Sequence, residues 1–76
     1  PYILTFDIGT TSVKTCIFDE QLKIVSQSTE DSLLTGPGNF VEVTPKTYLD
    51  AVKKGVQRVI TEPGYEKIDA VCIATQ

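Results

Sequence analysis

The segment Asp7-Ile8-Gly9-Thr10-Thr11-Ser12 lies between an apolar run, Tyr2 to Phe6, and a run of alternating character, Val13 to Phe18. Two short apolar stretches joined by a polar, glycine-containing link read as a β-hairpin at the start of the chain. The residue types in the link also suit phosphate. A carboxylate closes the first strand, Gly9 removes the β-carbon that would keep a phosphate at a distance, and three consecutive hydroxyl residues offer side-chain and main-chain donors. Lys14 adds a positive charge two residues later. Asp7 suits Mg2+ held through its water shell, because that ion dehydrates reluctantly and is commonly bound by one or two carboxylates together with substrate phosphates. The N–H groups around Thr10 and Thr11 could offset charge building on a transferring phosphoryl group. Asp, Gly, Thr and Ser are equally the residues of an ordinary hairpin turn, so these six positions leave both readings open.

Outward from the turn, Val13, Thr15 and Ile17 fall on one face of the second strand and Lys14, Cys16 and Phe18 on the other. Asp19-Glu20-Gln21 is a polar turn, and the weak alternation from Leu22 to Thr29 predicts a third antiparallel strand. From Glu30 to Asn39 the composition shifts to Asp, Ser, Gly and Pro, with Gly36-Pro37-Gly38 marking a surface loop. Thr44 followed by Pro45 is a helix start, the threonine as cap and the proline with its φ already helical. The helix is predicted from Pro45 to about Thr61, with Tyr48, Leu49, Val52, Val56, Val59 and Ile60 on the sheet-facing side. Gly55 within it either permits close approach to the sheet or is simply tolerated. Lys53, Lys54 and Arg58 read as a solvated face rather than a phosphate patch. Glu62-Pro63-Gly64-Tyr65 ends the helix. The apolar run Ile68 to Thr75 is expected to be a buried strand, laid parallel to the first by the helical crossover, with its end near the turn.

Composition narrows the function classes. The chain has 76 residues, enough for one domain at most, and a domain of this size buries only about 60% of its unfolded surface, so its stability is expected to be marginal. A net charge of −3, without a basic stripe, argues against nucleic acid as a partner. No apolar stretch approaches the roughly 20 residues of a membrane helix and no signal-peptide pattern opens the chain, so no membrane association and a cytoplasmic location are expected. With no histidine, neither a Cys/His zinc site nor a Ser/His or Cys/His pair can be assembled from these residues. Cys16 and Cys72 allow a bridge between neighbouring strands or two buried thiols packed as small hydrophobes, the second expected in a reducing compartment.

The ordered set of motifs resembles the beginning of an FGGY-type carbohydrate kinase of the xylulose, glycerol and gluconate kinase kind. Asp7 to Ser12 is similar to that family's first phosphate motif, and Val13-Lys14-Thr15-Cys16-Ile17-Phe18-Asp19 to its second strand. Gly38-Asn39-Phe40-Val41-Glu42-Val43-Thr44-Pro45 resembles the Gly-aromatic-Val-Glu-x-x-Pro segment before its first helix. Ile73-Ala74-Thr75-Gln76 resembles the strand end leading to the sugar-contacting loop. Phe40 stands where tryptophan is frequent, and Ala74-Thr75 replaces the more usual Ser-Gly, near a point where glycerol, pentulose and gluconate kinases differ. The resemblance implies a ribonuclease-H-like (actin-like ATPase) α/β fragment, with three antiparallel strands plus one helix and a parallel strand. Residues 1–76 would form the N-terminal part of the first of two kinase domains. It further implies ATP with Mg2+, and a sugar, polyol or sugar acid as phosphoryl acceptor. Asp7 would lie near the metal, Gly9, Thr10, Thr11, Ser12 and Lys14 near the phosphates, and Gln76 near the sugar. The general base is then an aspartate beyond residue 76, leaving no catalytic residue in this piece, and the parent enzyme can be a homodimer. Actin-like and chaperone ATPases share an Asp-x-Gly-Thr hairpin, but chaperones typically follow the threonines with Asn-Ser where this chain has Ser12-Val13-Lys14. A module whose hairpin is only a turn is the third reading.

Overall fold

A computed structural model describes residues 1–10, 12–31 and 45–75. In chain order the elements are β1 (Tyr2–Ile8), β2 (Val13–Phe18), β3 (Ile24–Glu30), α1 (Pro45–Val59) and β4 (Ile68–Thr75). The strands form one sheet in the order β3-β2-β1-β4. The first three pair antiparallel as a meander, and β4 joins β1 in parallel, as the crossover through α1 predicted.

The register follows from the alternation. Leu4 faces Ile17 and Phe6 faces Thr15, so the alternating residues of β1 and β2 share one sheet face. On that face Leu4, Phe6, Val13 and Ile17 are buried with Ala51 and Val59 of α1. The helix line that meets the sheet runs through Ala51, Gly55 and Val59, with Tyr48, Val52, Val56 and Ile60 packed partly against it. Leu49, six residues and so about 120° around the helix from Gly55, is exposed, contrary to its predicted place on the packing face. At Gly55 the helix backbone lies directly on the Thr15 side chain, since a β-carbon there would overlap Thr15 Oγ1 and lie 3.0 Å from Thr15 Cβ. Close packing, rather than tolerance, explains that glycine.

Three further expectations are revised. The third strand begins at Ile24 because the Asp19 carboxylate accepts the N–H groups of Gln21 (2.9 Å) and Lys23 (3.0 Å), drawing the chain through Lys23 into the turn. Its last residue, Glu30, is buried at the sheet edge instead of opening a surface loop, and Arg58 Nη1 donates to Glu30 Oε2 at 2.6 Å. Lys53, Lys54 and Arg58 are all exposed as predicted, and Arg58 in addition pairs with Glu30, tying α1 to β3. The strand β4 is not buried, for α1 lies over β2 and β3 and leaves β4 open, with Val71 and Ile73 more than half exposed.

Cys16 is buried and Cys72 exposed, and both are free thiols. Thr5 lies between them in register, opposite Cys16 on one side and Cys72 on the other. Two strand spacings of about 4.8 Å separate the cysteines by roughly 10 Å, beyond disulfide reach. The surface loop expected around Gly36-Pro37-Gly38 and the Thr44 cap fall outside the described residues. Among the described residues no helix is long and apolar enough to cross a membrane.

Candidate phosphate-binding turn

The β1–β2 hairpin closes by a hydrogen bond from Gly9 N–H to Ser12 O at 2.9 Å, continuing the Ile8–Val13 register by one more pair. A tight connection of this kind leaves the polar residues at the sheet end, where the strands no longer shield them. Thr10 and Lys14 are exposed, and Gly9 and Ser12 are half-buried. Thr11 and Gln76, both predicted site residues, lie outside the described residues.

Asp7 sits one residue before the end of β1 with its carboxylate exposed, and its cross-strand partners are Lys14 on β2 and Ala74 on β4. By alternation Asp7 and Lys14 point to the sheet face opposite α1, whereas Phe6 points into the core. One acidic and one basic side chain therefore stand side by side at the turn, next to the small side chain of Ala74. Among the described residues no group of three or more His, Cys, Asp or Glu is arranged to hold a metal. A lone, water-accessible carboxylate suits a largely hydrated divalent cation that also contacts substrate phosphates, and does not suit a dehydrated all-protein site.

The parallel pairing of Ile8 with Thr75 brings the end of β4 beside the turn, as expected from the crossover. Asp7, Gly9, Thr10, Ser12 and Lys14 thus gather at one end of the sheet, adjoined by the end of β4.

One contributor escaped the sequence reading. Tyr48, in the first turns of α1, directs its hydroxyl at the hairpin from behind, 3.3 Å from Gly9 O and 3.5 Å from Thr10 O. Its spacing marked it only as a core-facing aromatic. The available signal was chemical: a partly buried tyrosine usually finds a hydrogen-bond partner for its hydroxyl, which a phenylalanine at the same position would not need.

Comparison with known proteins bears on the family and the fold. The sequence model of the FGGY family of carbohydrate kinases, N-terminal domain, matches residues 2–76. A glycerol kinase from Aquifex aeolicus (strain VF5) is 33% identical, over 97% of this chain and 15% of its own length. Among solved structures, gluconate kinase and ligand-bound xylulose kinase, both from Lactobacillus acidophilus, each superpose with a TM-score of 0.70 at 26% identity, over 99% of this chain and 15% of theirs. The chain therefore spans about 15% of the length of these relatives. The mixed sheet and its helix have the actin-like ATPase fold of these kinases, as the motifs implied. With the turn, the sheet and the helix all inside the matched range, the chain belongs to the FGGY family of carbohydrate kinases.

Proposed function

We propose that the protein containing this chain transfers the γ-phosphate of ATP to a hydroxyl of a sugar, polyol or sugar acid, and that residues 1–76 supply its first phosphate-binding hairpin. The observation that carries this reading is the gathering of exposed Asp7, Thr10 and Lys14 with half-buried Gly9 and Ser12 at one end of the sheet, in a chain of the carbohydrate kinase family. Thr11 and Gln76 complete the proposed set from sequence.

Each residue has a distinct task. Gly9 lets main chain approach the phosphates without a β-carbon in the way, while Thr10, Thr11 and Ser12 provide hydroxyl and N–H donors to non-bridging oxygens. Lys14 adds a point charge against the phosphate oxygens. Asp7 would hold Mg2+ through water, and the metal's role when bound is to neutralise charge on the phosphates during transfer. Asp7 is not the general base, which belongs to a part of the protein beyond residue 76. Gln76 is assigned to the acceptor by the resemblance of Ile73-Ala74-Thr75-Gln76 to the segment leading to the family's sugar-contacting loop. Residues 1–76 are the N-terminal part of the first of two domains in this reading, and the location is cytoplasmic. The piece alone presents half a cleft, with phosphates still in water, and is inactive.

The test is acceptor-dependent ADP release by the full-length protein, with glycerol, xylulose and gluconate offered in turn. Asp7→Asn is expected to lower kcat by on the order of 100-fold with an unchanged circular dichroism spectrum. The isolated chain, run alongside, should release no ADP. Near-normal turnover in the Asp7→Asn protein would remove Asp7 from the reaction, and hydrolysis indifferent to every acceptor would point instead to an ATPase switch.

A further inference from the structure

We propose that Tyr48 is a positioning residue for the phosphate turn, its hydroxyl holding the Gly9–Thr10 peptide so that the Thr10 N–H faces the ligand side. This rests on the phosphate-binding reading of the hairpin given above.

The argument begins with the contact. Tyr48 O–H lies within reach of two successive carbonyl oxygens, Gly9 O at 3.3 Å and Thr10 O at 3.5 Å, from a helix that packs on the opposite side of the sheet from Asp7 and Lys14. Both distances are long for a single O–H···O bond, and the hydroxyl is shared between two acceptors rather than committed to one. Its consequence is directional. A peptide unit is planar and trans, with its C=O and the following N–H antiparallel. A Gly9 carbonyl turned towards α1 therefore turns the Thr10 N–H away from α1, to the side where Asp7 and Lys14 stand. The Gly9 N–H is already committed to Ser12 O, so the turn depends on later amides for donors to an anion. Flipping the Gly9–Thr10 unit would replace a donor with a carbonyl oxygen facing the phosphates. Tyr48 opposes that flip from behind, and the half-buried ring is anchored by its packing against the core.

The experiment uses the full-length protein and compares wild type, Tyr48→Phe and Asp7→Asn. Phenylalanine keeps the ring and its packing and removes only the hydroxyl. The expected result is a rise in KM for MgATP of about fivefold or more, the effective reduction when a competent turn is only fractionally populated. KM for the acceptor and the melting temperature should stay close to wild type. Amide hydrogen exchange of the peptide spanning residues 7–14 should be faster in Tyr48→Phe and otherwise unchanged along β1 and β2. If the phenylalanine variant does not fold, Tyr48→Met, which fills the space without a hydroxyl, is held to the same outcomes. A melting temperature that falls while KM for MgATP stays put would reduce Tyr48 to a packing residue and overturn the inference. Normal KM in Tyr48→Phe beside an inactive Asp7→Asn would also overturn it, leaving the phosphate-turn reading intact. A wild-type protein that neither binds ATP nor transfers phosphate would remove both.

Discussion

Thr15 and Gly55 meet in a tight contact between helix and sheet, and they make a coupled pair. Thr15 is fully buried and, among the described residues, its Oγ1 has no hydrogen-bond partner. Burying a hydroxyl without a partner costs about 1–3 kcal/mol, so the position is tolerated for its shape rather than its polarity. A methyl at residue 55 would overlap that oxygen, and Thr15 cannot swing away easily, because a β-branched side chain in a strand has few rotamers. Gly55→Ala is therefore expected to lose about 3 kcal/mol, although alanine is the better helix former. Thr15→Ala in the same protein should restore at least about 1 kcal/mol of it, by clearing the overlap and the unpaired hydroxyl together. Urea unfolding of wild type, both single variants and the double variant closes the cycle, and strictly additive losses would show that the contact is not what limits position 55. A glycine in a helical pattern is visible in any sequence, but which strand residue lies beneath it depends on the crossing of two elements distant along the chain.

The β2–β3 connection shows what element-level reading catches and what it misses. Asp19 announces its turn in the sequence, and the structure adds that Leu22 closes it with φ of 62°, while its side chain is 71% exposed. An L-residue other than Gly, Asn or Asp is held in that conformation at a cost of about 1–2 kcal/mol. Leu22→Asn is expected to stabilise the protein by about 0.5–1 kcal/mol, read as a higher urea midpoint with unchanged slope. A lower midpoint would mean that the leucine makes a packing contribution outweighing its backbone strain. Alternation alone places Leu22 at the start of β3, since an apolar residue after a polar cluster looks like a strand edge. Elements set by local periodicity were legible to within a few residues: the hairpin, the helix from Pro45, and the parallel partner of β1. What the sequence carries of the candidate site is its residue types, and the hairpin register brings Asp7, Gly9, Thr10, Ser12 and Lys14 to one end of the sheet. Tyr48 was not legible, because its reach to Gly9 O spans 39 residues and no local pattern encodes it.

At the scale of the molecule, and among the described residues, the apolar face of the sheet is wider than the helix α1 that packs on it. Leu4 and Phe6 are buried on β1, but their register partners on β4, Val71 and Ile73, point to the same face and are 55% and 64% exposed. The run Ile68 to Thr75 reads as a buried strand because continuous apolar character is what two covered faces require. Composition records that demand, yet cannot say which neighbouring element meets it, and α1 is committed to β2 and β3. The outer edge of β4 adds main-chain donors and acceptors beside these side chains, the arrangement that invites pairing between chains. The 76-residue chain on its own is accordingly expected to associate as its concentration rises, with sedimentation velocity showing a shift from monomer to larger species. Ile73→Lys should suppress that shift, since a charge on an edge strand opposes pairing, while the far-ultraviolet spectrum stays as in the parent chain because the replaced side chain is already mostly in water. Association undiminished by Ile73→Lys would place the contact elsewhere, with exposed Leu22, Ile24 and Leu49 the next positions to change.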